Sequence, residues 1–482
     1  MPDLCEDGMS AITRRAALGA AAALPALALL PPGVAAQPAP APSPQPAFTP
    51  PPGERPLFGA SLWTLPNGLT VVHAENRRAP VVAHYVFYSA GAGEDPEGRS
   101  GLAHFLEHMM FKGSRNVPSG VFSRRVAREG GQDNAFTSRD VTAYHQHVEA
   151  TRLALVAGME ADRMATALFP ADEIEAERQV VQEERRQRTE STPRGRFREA
   201  WDAAFWGRQH WRGRPLIGWP EEIAALSRAD MLEFYQRYYT PANATLLVSG
   251  AISREELAKL AEQDYGAIQG RPAPHDKARR QRPPLPAAPL QERLVQRDPT
   301  VREAAFLRGW AAPSLPAGGE AARHSDPLEV LSHILGGGQG SRLHKALVEG
   351  GLAVSAGCAY DGDAIGTGSL EIFVTPRRET TTAALEAAVA AEVARLLDQG
   401  VTEAEVARAI RQLTAGTLLA LDGLGAAPRI LGGALAVGLP LDVVEYWPAR
   451  IRAVTRAQVE AAARFVLARP SMLGWLLPEG AA

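Results

Sequence analysis

Apolar positions change rhythm along the chain, and each change marks an element. Ser61–Leu65 and Leu69–His73 alternate as strands around Asn67-Gly68, a dipeptide suited to the left-handed turn of a hairpin. Val81–Ser89, rich in β-branched and aromatic residues, reads as a third strand. A loop spaced by Gly91, Gly93 and Gly98 leads into a helical stretch over 101–112, with Ser100 as its expected N-cap and Gly113 as its stop. Gly120–Glu129 is predicted as a helix, and Asn134–Arg139 and Val141–Val148 as two strands. Thr151–Leu168 and Asp172–Thr189 carry the period of amphipathic helices. Leu226–Tyr239 is a further helix that runs into the strand Ala244–Ser249.

The second half repeats the first. Ser227-Arg228-Ala229 opens a helix leading to Pro241 and a strand, and Thr455-Arg456-Ala457 does the same on the way to Pro470 and Ser471–Leu477. The offset is 228 residues, about half of the chain beyond residue 36. Capping boxes at Thr402/Glu405 and Thr455/Gln458 mark helix starts in this half. A chain of 482 residues exceeds what one core fills. A duplicated pair of α+β domains is therefore expected, at 57–270 and 290–482, with a Pro- and Arg-rich linker over 271–289 acting as a hinge.

Ahead of the first domain, Thr13-Arg14-Arg15 and the apolar run Ala16–Leu30 precede the small residues Val34-Ala35-Ala36. Residues 1–36 read as an export signal, of the twin-arginine or the ordinary secretory kind, and 37–56 as a Pro/Ala tether. The run is broken by Pro25 and too short to span a bilayer, so a periplasmic protein without a membrane span is expected. With 45% hydrophobic and 22% charged residues the composition is globular. A net charge of −3 offers no case for nucleic acid. Cys5 lies in the signal, which leaves Cys358 as a lone core thiol without a disulfide partner.

The chemistry is concentrated in Gly101–Ser114 (GLAHFLEHMMFKGS). On a helix His104 and His108 stand one turn apart on one face, where two imidazoles can grip one cation. Glu107 stands beside them, placed to hold a proton instead of the metal. His-x-x-Glu-His is the reverse of the commoner His-Glu-x-x-His and serves the same hydrolytic chemistry. The bland alternative is a helix with two satisfied polar histidines. A third ligand decides between them.

This stretch, with Phe111 and Gly113-Ser114, resembles the active-site helix of the pitrilysin (inverzincin) zinc peptidases, in their two-domain, processing-peptidase-like branch. The resemblance implies that the third ligand is a Glu 76 residues beyond the second His, inside a Glu-Arg-x-x-Val-x-x-Glu pattern; here that is Glu184 in Glu177–Glu184. Glu183 is the alternative one residue away. Glu177, two turns back on the same helix face, would orient a ligand histidine through its other ring nitrogen. Asn134, Ala135, Phe136 and Thr137 resemble the family's edge strand, onto which a peptide substrate adds its backbone. An ordinary hairpin is the rival reading of that strand. The family likeness further implies antiparallel sheets with helices on one face, two domains enclosing a cavity, one Zn²⁺ per chain, and Glu107 as general base.

His333 in Pro327–Leu335 lacks any His-x-x-Glu-His, so only the first half is expected to bind metal. Members that act alone carry an Arg and a Tyr seven residues apart in the second domain; here the corresponding run, Leu347–Val354, is one residue shorter, and Val348 and Val354 stand in their places. A homologous sister subunit is therefore expected to complete the site, with self-association as the alternative partnership. A non-catalytic binding or assembly subunit is the alternative. His145 and His147 are read as polar structure, and His210 is assigned no chemistry. The basic run Arg185, Arg186, Arg188, Arg194, Arg196, Arg198 is read as a solvated or partner-facing surface.

Overall fold

The computed structural model describes residues 48–275, 280, 282, 288–420 and 423–480. The expected export signal, residues 37–47 of the tether and most of the linker stretch 276–287 lie outside the described residues.

Two mixed sheets organise the chain. In the first half β1 (Ser61–Thr64), β2 (Thr70–Glu75), β3 (Val81–Tyr88), β4 (Gln132–Thr137), β5 (Thr142–Glu149) and β6 (Ala244–Gly250) lie in the order β1-β2-β6-β3-β5-β4. In the second, β7 (Arg293–Asp298), β8 (Ala305–Ala312), β9 (Ala353–Asp361), β10 (Gly368–Pro376) and β11 (Met472–Pro478) lie in the order β7-β11-β8-β10-β9. Apart from β1 the two orders are the same. Each sheet is antiparallel except where its last strand returns parallel to an early one, β6 to β2 and β11 to β7. β6 begins at Ala244 and β11 at Met472, the same 228-residue offset that the sequence shows. The Asn67-Gly68 turn joins β1 to β2 as a hairpin, with Gly68 at φ 88°.

Each sheet packs its own helices on one face. In the first half Leu102, Phe105, Leu106 and Met109 of one helix join Val86, Tyr88 and Tyr144 of the sheet in a single core. In the second half the helix Ser325–Gly336 takes the equivalent place, its Leu328, Leu331 and Leu335 packing with Trp310 and Leu370.

The opposite faces are covered by an exchange between the halves. The helix Pro193–Trp206, from the first half, lays Phe197, Trp201 and Phe205 on Leu307, Ala311, Met472 and Leu476 of the second sheet. Gly309 and Gly474 make room for Trp201, whose ring would stand 2.8 Å and 2.6 Å from a Cβ at those positions. In return, the helix Ala426–Ala436 lays Ala427, Leu431 and Ala436 on Ala83, Tyr85, Phe87 and Leu247 of the first sheet. Arg198 adds a two-pronged pair with Glu371 at 2.6 and 2.9 Å.

The two described positions within 276–287 are also tied down, chiefly to the first half. Arg280 donates to the carbonyls of Asp140 (2.8 Å) and Ala436 (3.1 Å), and Arg282 pairs with Asp140 (2.6 Å) and Glu94 (2.7 Å). At these points the connection is anchored, not a free hinge. The basic run after the second helical ligand segment is likewise more engaged than the expected solvated surface. Arg185 pairs with Glu199, Arg186 with Glu183, Arg188 with Glu184, Arg196 with Asp298 and Arg198 with Glu371. Acidic partners from several elements converge there, which a linear reading of charge does not reveal.

Because Trp201 is fully buried between the halves, Trp201→Ala is expected to cost about 3–5 kcal/mol. Denaturant unfolding checks this, and both halves should lose stability together.

Candidate metal centre

The helix Leu102–Met109 starts differently from the sequence expectation. Its N-cap is Gly101, at φ 86°, and Ser100 instead accepts the backbone N–H of Trp219 through its hydroxyl at 2.9 Å. The free N–H groups at the helix start are taken by Asp95, whose carboxylate accepts from Gly101 (2.8 Å) and Ala103 (2.9 Å). A side chain at 101 would meet the carbonyl of Ile217 at 2.4 Å, so only glycine lets the loop 217–218 lie against the helix entry. Regular helix ends at Met109, and Gly113 at φ 102° turns the chain four residues later.

The helix Ala171–Arg185 reaches the same core through Ile174 and Val181. Its Glu177 and Glu184, two turns apart, face the two histidines. Glu184 Oε2 lies 3.3 Å from His108 Nε2 and 3.6 Å from His104 Nε2. One ligand atom from each of the three residues falls within 4.8 Å of the others. Among the described residues this is the only group of three or more His, Cys, Asp or Glu side chains so arranged. Glu183, the alternative, is half exposed and pairs with Arg186 at 2.6 Å.

Glu177 Oε1 meets the other ring nitrogen of His108, Nδ1, at 2.8 Å. That contact fixes the ring so that Nε2 faces Glu184. Lys112, one turn beyond His108, pairs with the other oxygen of Glu177. The i, i+4 spacing from His108 puts Lys112 on the same side of the chain, but its partner lies on another helix and no local pattern records it.

The protonation balance follows from burial and neighbours. Burial, with the His108 charge beside it, pushes His104 down to about 3. Burial also opposes charge on His108, but the carboxylates of Glu177 and Glu184 outweigh it and raise that group to about 9. Glu184 falls to about 2, because His108, His104 and Arg188 overcome its own desolvation. A divalent cation would take over the role of the proton that His108 holds, so its binding releases a proton.

The donors fit such an ion. Glu184 Oε2 is a buried oxygen without a hydrogen-bond donor, opposite two imidazole nitrogens. Two neutral nitrogens and one carboxylate oxygen, with one position left over, are the donor set of a hydrolytic zinc site.

Glu107 has a different environment. Burial raises it to about 7, against the pull of a hydrogen bond from Thr137 Oγ1 at 2.5 Å. Thr137 ends β4, which pairs only with β5 and forms the edge of the first sheet. Ala135 and Thr137 share the face toward the metal helix, and Phe136 turns to the opposite core against Phe87 at 6.2 Å. Asn134 folds its side-chain oxygen onto the N–H of Ala135 at 2.8 Å.

The remaining sequence candidates lie apart. His145 stacks on Tyr85 at 4.6 Å, and His147 Nε2 meets the Tyr85 hydroxyl at 3.1 Å, on the sheet face away from the metal helix. His333 bonds Gln412 at 3.1 Å. Val348 packs against the second core, whereas Val354 is 63% exposed on β9, the edge of the second sheet.

Comparison with known proteins agrees with this layout. Residues 70–217 match the model of insulinase (peptidase family M16), and residues 225–413 match the peptidase M16 inactive domain. The chain is 32% identical over 419 residues to "Uncharacterized zinc protease ML0855" of Mycobacterium leprae, covering 85% of this chain and 89% of the relative. It is 33% identical over 297 residues to "Zinc protease PqqE" of Helicobacter pylori, covering 59% and 63% respectively. The crystal structure of a protease from Helicobacter pylori superposes with a TM-score of 0.77 at 25% identity, covering 88% of this chain and all of that one. A putative M16-like peptidase of Alicyclobacillus acidocaldarius shares the fold at the same TM-score, 0.77, and 20% identity, over 88% and 99% of the two chains. With two sheets of one topology and a His-His-Glu cluster in the first half, the chain belongs to the M16, or pitrilysin, family of zinc peptidases.

Proposed function

We propose that this protein hydrolyses peptide bonds of extended peptides or unfolded segments, with zinc held by His104, His108 and Glu184. The observation that carries the reading is the convergence of three donor atoms within 4.8 Å, one of them the unpartnered Glu184 Oε2. Zinc at such a site supplies a Lewis acid for the scissile carbonyl and brings a water's pKa down to about 7.

The chain's own groups do the rest. Glu107 takes a proton from the attacking water and passes it to the leaving amine. Thr137 holds the Glu107 carboxylate in place. Glu177 keeps His108 in the orientation that presents Nε2. The free edge of β4 at Asn134–Thr137 takes the substrate backbone as an added strand, and backbone pairing favours extended conformation over particular side chains.

Val348 and Val354 supply no donor to a developing oxyanion, so we place the chain as the metal-bearing partner of a homologous subunit that carries the missing Arg and Tyr. A relative named "Probable mitochondrial-processing peptidase subunit beta", of Schizosaccharomyces pombe, supports this organisation; it is 32% identical over 206 residues, 43% of this chain and 45% of that one. Export to the periplasm accords with the N-terminal pattern and with a structural neighbour titled the periplasmic protease PqqL of Escherichia coli (TM-score 0.73, 19% identity, 89% of this chain and 48% of that one). No helix among the described residues is long and apolar enough to cross a membrane.

Glu107→Gln should lower peptide hydrolysis by about 10²–10⁴-fold while bound zinc, measured by elemental analysis, stays at the wild-type level. A variant that keeps full function would favour the non-catalytic subunit reading. Glu177→Gln should weaken zinc by about 10–100-fold in chelator competition. Assayed alone, the purified chain should be weakly active, and a homologous subunit with the Arg–Tyr pair should raise its turnover; full activity alone contradicts the split site.

A further inference from the structure

The two oxygens of Glu184 have separate environments. Oε2 faces His108 and His104 and accepts from no hydrogen-bond donor. Oε1 receives the guanidinium of Arg188 at 2.8 Å. Arg188 reaches it across a wider, π-helical turn, Arg186–Glu190, that begins directly after the ligand helix. Such turns often occur where a helix adapts to a functional site.

Arg188 is 51% exposed, and a solvent-screened i, i+4 ion pair adds little to stability. Its contact with Glu184 therefore contributes little to the fold. Its geometric effect is larger. A carboxylate free to rotate offers both oxygens to a cation, and the second oxygen would fill the position a water must occupy. A guanidinium bound to Oε1 removes that option and leaves Oε2 as the single donor.

We infer that Arg188 is a positioning residue that holds Glu184 as a one-oxygen ligand and so keeps one coordination position free. This rests on the reading of Glu184 as a metal ligand. It parallels the role of Glu177 toward His108, with the sign of the charge reversed. The positive charge also draws electron density from the carboxylate and leaves a bound cation more electrophilic.

The test uses the full chain as wild type, Arg188→Gln and Glu184→Ala, each loaded with zinc or with cobalt(II). Arg188→Gln should bind zinc more tightly than wild type in chelator competition, because a positive charge beside the site is lost and a second oxygen becomes free to coordinate. It should also reduce the intensity of the cobalt visible bands, as coordination number rises when Glu184 binds through both oxygens. The thermal midpoint of its metal-free form should match wild type. An Arg188→Gln protein whose zinc affinity and cobalt spectrum are both unchanged, beside a Glu184→Ala protein that has lost metal, overturns the Arg188 role alone. A Glu184→Ala protein that binds zinc as wild type does removes the ligand assignment, and this inference with it.

Discussion

A carboxylate held against two imidazole nitrogens, with little water to screen it, is the interaction on which the first half depends. Glu184, His104 and His108 would not choose this arrangement unaided, because desolvation opposes charge on each of them. Packing imposes it. Leu102, Phe105 and Leu106 on one helix, and Ile174 and Val181 on the other, are buried in one core, which leaves the polar edges of both helices facing each other. Glu177 meets His108 at Nδ1 and Arg188 meets Glu184 at Oε1, each on the atom turned away from the cluster. The apolar core determines where the donors meet, and the charged neighbours determine which atoms they present.

The fold shows the same core built twice and used once. Both halves repeat one strand order, and in each the first long helix after the opening strands occupies the same place. In the second half that helix carries Leu328, Leu331 and Leu335 for packing and only His333 of the metal pattern. Its acidic residues serve structure. Glu329 accepts from Trp447 Nε1 at 3.1 Å and Asp326 pairs with Arg450. The second half covers the outer face of the first sheet with Ala426–Ala436 and receives Pro193–Trp206 in exchange. Each half therefore depends on the other for a closed core, so separating them would expose Tyr85 and Phe87 on one side and Leu307 and Met472 on the other.

Much of this was legible from residue order, for identifiable reasons. Asn67-Gly68 announces its hairpin because the turn needs positive φ, and the 228-residue offset predicts the paired starts of β6 and β11. The His104–Glu107–His108 spacing states its own geometry on a helix. Glu184 and Glu177 came from family resemblance and meet the histidines in space. What the sequence hid was tertiary. The parallel pairs β2–β6 and β7–β11 link residues 175 and 180 positions apart, and no local pattern records them. Ser100 looks like a cap, but its hydroxyl is committed to Trp219, and Asp95 does the capping from outside the helix. The exchanged helix Pro193–Trp206 was read as part of a basic surface. Its start signals were present, with Thr192 capping Gly195 and proline at the first position, yet its apolar face Phe197, Trp201, Phe205 was overshadowed by Arg194, Arg196 and Arg198.

The central claim is that a single divalent ion sits between His104, His108 and Glu184. Anomalous diffraction at the zinc absorption edge, from crystals of the zinc-loaded chain, addresses it directly. The account predicts one strong peak between the two Nε2 atoms and Glu184 Oε2, at ordinary zinc–ligand distances of about 2.0–2.2 Å. A peak elsewhere, or zinc bound by the histidines with Glu184 turned away, would contradict it.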